Sequence, residues 1–186
     1  MKIPVSRHDL LITLIVSSLF ALLAIASFKV ILPLQQAYIY AFEINVLLLY
    51  LPHGIRVLTA WLYGWKSIIY ILPGQAVTHV LFWGTASLTG IGALDILGGA
   101  SVGYLGLLAA LYILRGQQTG ILGRPWVLIL LAGVIASFAN SAVKIMVHDA
   151  LPKEAFGYLL GDITGLVLLM VILLYVFKVE RKTRLD

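Results

Sequence analysis

Nine ionisable or strongly polar side chains lie inside the long apolar runs of this sequence, where they could do chemistry. A polar group inside a bilayer costs free energy, so each is a candidate for a functional role. The nine are Glu43, His53, Arg56, Gln75, His79, Asp95, Asn140, Lys144 and Asp162. We predict that a ligand-binding site or a buried polar network is formed by His53, Arg56, His79, Asp95, Asn140 and Asp162.

Arg56 allows two interpretations. Charges inside membranes usually pair with one another, which favours an internal ion pair with Asp95 or Asp162. Arg56 also follows a proline and glycine turn that would start a half-helix. The positive end of such a helix, with an arginine beside it, is suited to an anion. We favour the internal pair, and the anion site stays open as the alternative.

The histidines allow a similar choice. His53 and His79 could face each other across neighbouring helices as haem ligands or as a proton relay. No spacing motif supports either role, so we expect one hydrogen-bonded histidine at each position and no metal or cofactor. The chain has no cysteine, and no paired-carboxylate site, zinc-binding helix or nucleophile elbow is found. We therefore expect that the protein is not an enzyme.

Transmembrane helices are the elements that would position these residues. Of 186 residues, 61% are hydrophobic and 11% are charged, whereas roughly a quarter of the residues of a soluble domain are charged. We predict an all-α, polytopic membrane domain over residues 1–186, whose N-terminal run is an uncleaved first helix. Its six spans, each near the roughly 20 residues that cross a bilayer, are 10–32, 44–64, 67–86, 92–114, 126–147 and 156–178.

The basic residues predict the orientation of these spans. Short cytoplasmic loops carry an excess of lysine and arginine, and with both termini in the cytoplasm nine of the 13 basic residues lie on that side. The net charge of +5 therefore reflects topology and not nucleic-acid binding. In this topology the polar groups form a layer in the outer leaflet, which predicts a pocket open to the extracytoplasmic side of a bacterial inner membrane.

Pro52 and Gly54 interrupt the second span near its middle. Proline removes a helical hydrogen bond and clashes with the preceding turn, so we predict a proline-broken second helix. The break is either a simple kink or a discontinuous helix that lines a binding site. In the fourth span, Gly99 and Gly103 form a small-x-x-x-small pair, which predicts a packing face where helices approach closely.

Two stretches resemble the bacterial membrane-associated sensor domain of the first type. One is Tyr50-Leu51-Pro52-His53-Gly54-Ile55-Arg56, followed by Ala60, Leu62, Gly64 and Leu72-Pro73-Gly74, and the other is Leu160-Gly161-Asp162-Ile163-Thr164-Gly165-Leu166. The resemblance implies a helical membrane module that senses a signal. Members of that family usually continue into a cytoplasmic histidine kinase or cyclic-dinucleotide enzyme, whereas this chain stops at Asp186. We therefore expect a stand-alone module without an output domain.

The leading hypothesis from the sequence is a membrane-embedded sensory or ligand-binding module. A small molecule or lipid would enter the outer pocket, and the signal would pass to a protein partner in the bilayer. One alternative is the substrate-binding component of a small-solute importer. The other is an accessory structural subunit of a larger membrane complex, in which the polar groups only hold helices together.

Overall fold

The computed structural model describes residues 6–38, 46–115, 125–148 and 151–183, and every regular element within these ranges is helical. The predicted all-α class is confirmed for this part of the chain. Glu43 and much of the predicted loops after the fourth and fifth spans lie outside the described residues. The helices are α1 (Arg7–Ala26), α2 (Leu32–Tyr38), α3 (Leu51–Tyr63), α4 (Lys66–Trp83), α5 (Gly90–Ile113), α6 (Pro125–His148) and α7 (Pro152–Thr183).

Four helical stretches in the described residues are long and apolar enough to cross a membrane. They are Arg7–Tyr38, Gly90–Ile113, Pro125–Met146 and Pro152–Lys178. The first of them joins α1 to α2 through a π-helical turn, Ser27–Ile31. Large apolar side chains on the outside of the bundle, such as Leu22, Leu94 and Leu174, are more than half exposed. So extensive an apolar surface suits lipid and not water, and the chain is a membrane protein.

The contacts between helices fix their directions. Asp9 contacts Lys66 near the starts of α1 and α4, and Phe28, after α1, stacks on Phe82 at the end of α4. These two helices therefore run parallel. Asp95 near the start of α5 contacts Lys144 near the end of α6, so α5 and α6 run antiparallel. α6 and α7 are also antiparallel, because Asn140 and Asp162 are hydrogen-bonded.

A close approach between α1 and α4 explains why proline is tolerated inside α4. Pro73 cannot donate a backbone hydrogen bond,. The hydroxyl of Ser17 donates to the Tyr70 carbonyl at 2.8 Å and accepts from the Gly74 amide at 3.1 Å. A Cβ added at Gly74 would lie 2.5 Å from the Ser17 carbonyl oxygen. Ser17 therefore bridges the backbone of α4 between the Tyr70 carbonyl and the Gly74 amide, next to the proline that interrupts the helical hydrogen bonds,.

The structure differs from the predicted proline-broken second helix. Residues 46–50 are not helical, and α3 begins at Leu51 with Pro52 in its first turn. Proline is favoured there because its missing N–H would have no helical partner in any case. Pro52 thus starts a helix. The 13 residues of α3 extend about 20 Å, which is less than the roughly 30 Å hydrocarbon thickness.

Two glycines of α5 lie where other groups approach its backbone. A Cβ at Gly103 would lie 2.6 Å from the carbonyl oxygen of Arg56, and one at Gly99 would lie 2.1 Å from Nε2 of Gln75. Gly103 therefore allows α5 to pack directly against the backbone of α3. Gly99 leaves space for the side chain of Gln75 from α4.

Candidate functional site

A cavity of about 250 Å³ lies at the end of the bundle where α3 begins. We call this the cavity end, and we call the opposite end, where Asp9 meets Lys66 and Tyr70, the Asp9 end. Five of the six predicted site residues line the cavity: Arg56, His79, Asp95, Asn140 and Asp162. Side chains that were not selected from the sequence complete its walls, notably Phe28, Tyr50, Gln75, Thr78, Phe82, Trp83, Lys144 and Tyr158.

The non-helical segment 46–50 forms part of the wall, and other elements satisfy its backbone. The amide group of Gln35 in α2 donates to the carbonyl of Val46 and accepts from the N–H of Leu48, both at 2.8 Å. The N–H of Tyr50 donates to the carbonyl of Gly161 at 2.8 Å. Non-helical backbone at membrane depth needs such partners, because lipid offers none.

The Gly-Asp-x-x-Gly stretch of α7 forms the surface on which this segment packs. A Cβ at Gly161 would lie 2.1 Å from the carbonyl oxygen of Leu47, and one at Gly165 would lie 2.1 Å from that of Tyr50. The two glycines are one helical turn apart and leave a flat strip on α7. Between them, the hydroxyl of Thr164 donates to the Leu48 carbonyl.

Arg56 is 4% exposed and does not form the predicted ion pair with Asp162. Its Nη2 donates to Oε1 of Gln75 at 2.9 Å, and its guanidinium carbon lies 5.2 Å from the ring centroid of Phe20 and 5.5 Å from that of Tyr50. Its Nε is buried and has no hydrogen-bond partner. The predicted pair fails because His53, one turn earlier on α3, occupies the place beside Asp162.

Asp95 is paired with Lys144, whose Nζ lies 2.6 Å from the Asp95 carboxylate. This contact links α5 to α6 at the wall of the cavity. Lys144 belongs to the polar set seen in the sequence, but it was not selected as a site residue. The sequence could have indicated Lys144, because polar residues recur on one face of α6 at helical spacing: Ser137, Asn140, Ser141 and Lys144.

His53 does not line the cavity and lies behind Asp162. Its Nδ1 is 3.4 Å from Oδ2 of Asp162, which is ion-pair distance, but Nδ1 has no hydrogen-bond partner. The same Asp162 oxygen accepts from Nδ2 of Asn140 at 2.9 Å. The Nε2 of His53 is 3.2 Å from both the Gly133 carbonyl and the hydroxyl of Ser137. This cluster joins α3, α6 and α7 in the interior of the bundle.

Ser137, His53 and Asp162 contact one another in space in the arrangement of a hydrolase triad, with the histidine between the serine and the aspartate. Ser137 was not selected from the sequence. The serine hydroxyl also donates to the Gly133 carbonyl at 2.8 Å. Both Ser137 and His53 are 0% exposed, and neither borders the cavity. Ser137 and His53 therefore link α6 to α3 in the interior of the bundle.

His79 belongs to an aromatic wall on the other side of the cavity. Its ring centroid lies 4.9 Å from that of Trp83, and Phe28 lies 4.7 Å from Phe82 and 6.0 Å from Trp83. His53 contacts α6 and α7 instead, so the two histidines do not form the pair considered from the sequence. Within the described ranges, no three His, Asp or Glu side chains lie close enough to hold a metal ion.

The fold and the site define a polytopic helical membrane protein with a polar cavity at one end of the bundle. No family model, curated protein or solved structure matches the chain. The two stretches that resemble the membrane-associated sensor domain are in direct contact, since Tyr50 bonds to Gly161 and His53 lies beside Asp162.

Proposed function

We propose that this chain is a membrane-embedded sensory or ligand-binding module whose cavity takes a small molecule from the extracytoplasmic side. The observation that carries the proposal is Arg56, a buried cation beside a cavity of about 250 Å³ whose Nε has no hydrogen-bond partner. A buried cation is costly in a bilayer unless another group compensates it. A ligand that offers an acceptor atom would provide that compensation.

The proposed topology has six crossings and places both termini in the cytoplasm of a bacterium. Segment 46–50 with α3 would form the second crossing, and α4 the third. The helix directions support this arrangement, because the basic residues Arg7, Lys66, Arg115 and Lys178 then lie at the Asp9 end. An excess of lysine and arginine is typical of the cytoplasmic side. The cavity would therefore open to the outside.

The lining of this cavity comes from all seven helices, α1 to α7, and from segment 46–50, so a ligand there would touch most of the bundle. Its binding would change how α3 packs on α7, because both helices contribute residues to the cavity wall. α7 continues to Thr183 beyond the apolar stretch that ends at Lys178. It is the natural route for a signal to a protein partner, which agrees with the family resemblance.

An accessory structural subunit is the second candidate. The observation that favours it is the pairing of charges between helices, as in Asp95 with Lys144, which would hold a bundle together without any ligand. A substrate-binding component of an importer would share the cavity and differ from the sensory module in its partner.

Native mass analysis of the gently purified protein separates these functions. We expect a small molecule of defined mass to stay bound to the wild type. The variant Thr78→Phe fills the cavity with a larger side chain and should lose that molecule. Its matched control is Val77→Phe, because Val77 is the neighbouring residue and its side chain is 51% exposed on the outside of the bundle. A bare chain held in fixed stoichiometry within a large complex would contradict the proposal and favour the accessory subunit.

A further inference from the structure

We infer that the molecule in the cavity is a compact amphipathic anion, whose carboxylate or similar head group is bound by Arg56 at the start of α3. This inference rests on the proposed function, since it names the chemical class of the ligand for the same cavity. The apolar body of the ligand would contact the aromatic wall of Phe28, Phe82 and Trp83.

The charges around the cavity support an anionic head group. Both carboxylates of the cavity have partners other than Arg56, because Asp95 contacts Lys144 and Asp162 contacts Asn140 and His53. Arg56 donates to the neutral amide of Gln75 and is also hydrogen-bonded to the Tyr50 side chain, and neither partner is a carboxylate. The guanidinium group of arginine has five N–H donors in a planar fork that matches a carboxylate. Arg56 therefore still has donors available for an anion.

The start of α3 adds a second source of positive potential. The side chain of Tyr50, the residue before α3, does not cap the helix, and Tyr50 and Arg56 both line the cavity. The N-terminus of a helix carries the positive end of its dipole. An anion seated here would contact Arg56 and feel the helix dipole together.

The size of the cavity and its apolar wall limit the size and the polarity of the rest of the ligand. A cavity of about 250 Å³ is smaller than the roughly 300–1,000 Å³ of typical ligand pockets, so it suits a small molecule,. The apolar part of the wall is formed by the rings of Phe28, Phe82 and Trp83, and Trp83 packs edge-to-face on both phenylalanines,. An aromatic or short aliphatic acid fits these limits, and a whole phospholipid does not.

The test compares benzoate with benzamide, which have the same shape and differ in charge. Binding of each is measured by isothermal titration calorimetry on the full chain in nanodiscs of neutral lipid. We expect benzoate to bind the wild type at least tenfold more tightly than benzamide. Arg56→Gln should remove this preference, and Arg56→Lys should keep part of it. Lys66→Gln is the matched control, because it removes a cation at the Asp9 end and should leave the preference unchanged.

The outcomes separate this inference from the proposed function. Equal binding of the two probes, or no benzoate binding at all, would overturn the anionic head group. The comparison on the wild type needs no variant, so it stands even if Arg56→Gln does not fold. A neutral molecule retained in native mass analysis would also overturn the inference while leaving the binding module intact. A preference for benzoate that persists in Arg56→Gln would overturn the assignment to Arg56.

Discussion

The two ends of the bundle hold polar groups in different ways. At the Asp9 end, the carboxylate of Asp9 accepts from Lys66 at 2.9 Å, from the hydroxyl of Tyr70 and from Ser6, whose own hydroxyl accepts from the Asp9 amide and caps α1. At the cavity end, Arg56 leaves its Nε without a hydrogen-bond partner. Buried polar groups are normally hydrogen-bonded. The Asp9 carboxylate is therefore paired between α1 and α4, whereas the cavity end leaves a buried cationic donor, for which we propose a ligand.

The two ends also differ in how deeply their charged side chains are buried. The side chains of Lys66 and Asp9 are 44% and 18% exposed, whereas those of His53 and Asp162 are 0% and 3% exposed. Exposed ion pairs contribute little to stability, but a buried charge that loses its partner is costly. The same chemical substitution should therefore have a large effect at one end and a small effect at the other.

The largest expected effect is that of Asp162→Asn. This substitution keeps the shape of the side chain but replaces the buried carboxylate that accepts from Asn140, and we expect a loss of about 3 kcal/mol of stability, the upper end for a hydrogen bond to a charged group,. Asp9→Asn is the matched change at the Asp9 end and should have only a small effect. Thermal unfolding in one detergent measures both variants. Equal losses would remove the distinction between the two ends.

A double-mutant cycle tests which side chain is coupled to Asp162. The contact at 3.4 Å predicts coupling between His53→Gln and Asp162→Asn. The pair Arg56→Gln and Asp162→Asn should be closer to additive, because no direct contact joins those two side chains. Strong coupling with Arg56 alone would restore the pairing expected from the sequence.

A moderate effect is expected for Gly161→Ala. The new Cβ would lie 2.1 Å from the Leu47 carbonyl oxygen, so segment 46–50 must move away from α7, at a cost of about 2 kcal/mol. Gly98→Ala is the matched control, because a Cβ at Gly98 has no neighbour within 4 Å. Chemical denaturation or thermal unfolding measures both. A neutral Gly161→Ala would show that the segment is not packed on α7 as described.

The smallest expected effect is that of Gln35→Leu. It removes two hydrogen bonds to segment 46–50, and leaving those backbone groups unpaired should cost about 1 kcal/mol. Gln36→Leu changes the neighbouring exposed residue in the same way and should be neutral. Hydrogen exchange of the Leu48 amide measures the loss of its hydrogen bond to Gln35 directly. Faster exchange in both variants would contradict the specific role of Gln35.

Hydropathy predicted the long helices well, because the length of an apolar run is a local property. The predicted spans 10–32, 92–114, 126–147 and 156–178 lie, to within one residue at their ends, inside helical stretches that are long enough to cross a bilayer. The second span was different. Residues 46–50 are as apolar as a transmembrane helix would require, so hydropathy alone predicts a helix there. They are not helical because the amide of Gln35 and the glycines of α7 satisfy and pack against their backbone instead.

The cavity was predicted better than the contacts within it. Depth along each span depends on residue number alone, so the sequence placed His79, Asn140 and Asp162 in one layer. The partner of a side chain depends on how each helix is rotated and displaced. The choice of Gln75 for Arg56, and of Lys144 for Asp95, is decided by those rotations. They follow from packing over the whole bundle and cannot be read from one span.

The π-helical turn at Ser27–Ile31 sets how α2 is rotated about the axis of the first membrane helix. Consecutive residues of an α-helix are about 100° apart around its axis. If the same residues wound as an ordinary α-helix instead of a π turn, Leu32–Tyr38 would rotate by about that angle,. Gln35 would then face away from Val46 and Leu48. The extra residue of the π turn therefore decides which face of α2 meets segment 46–50.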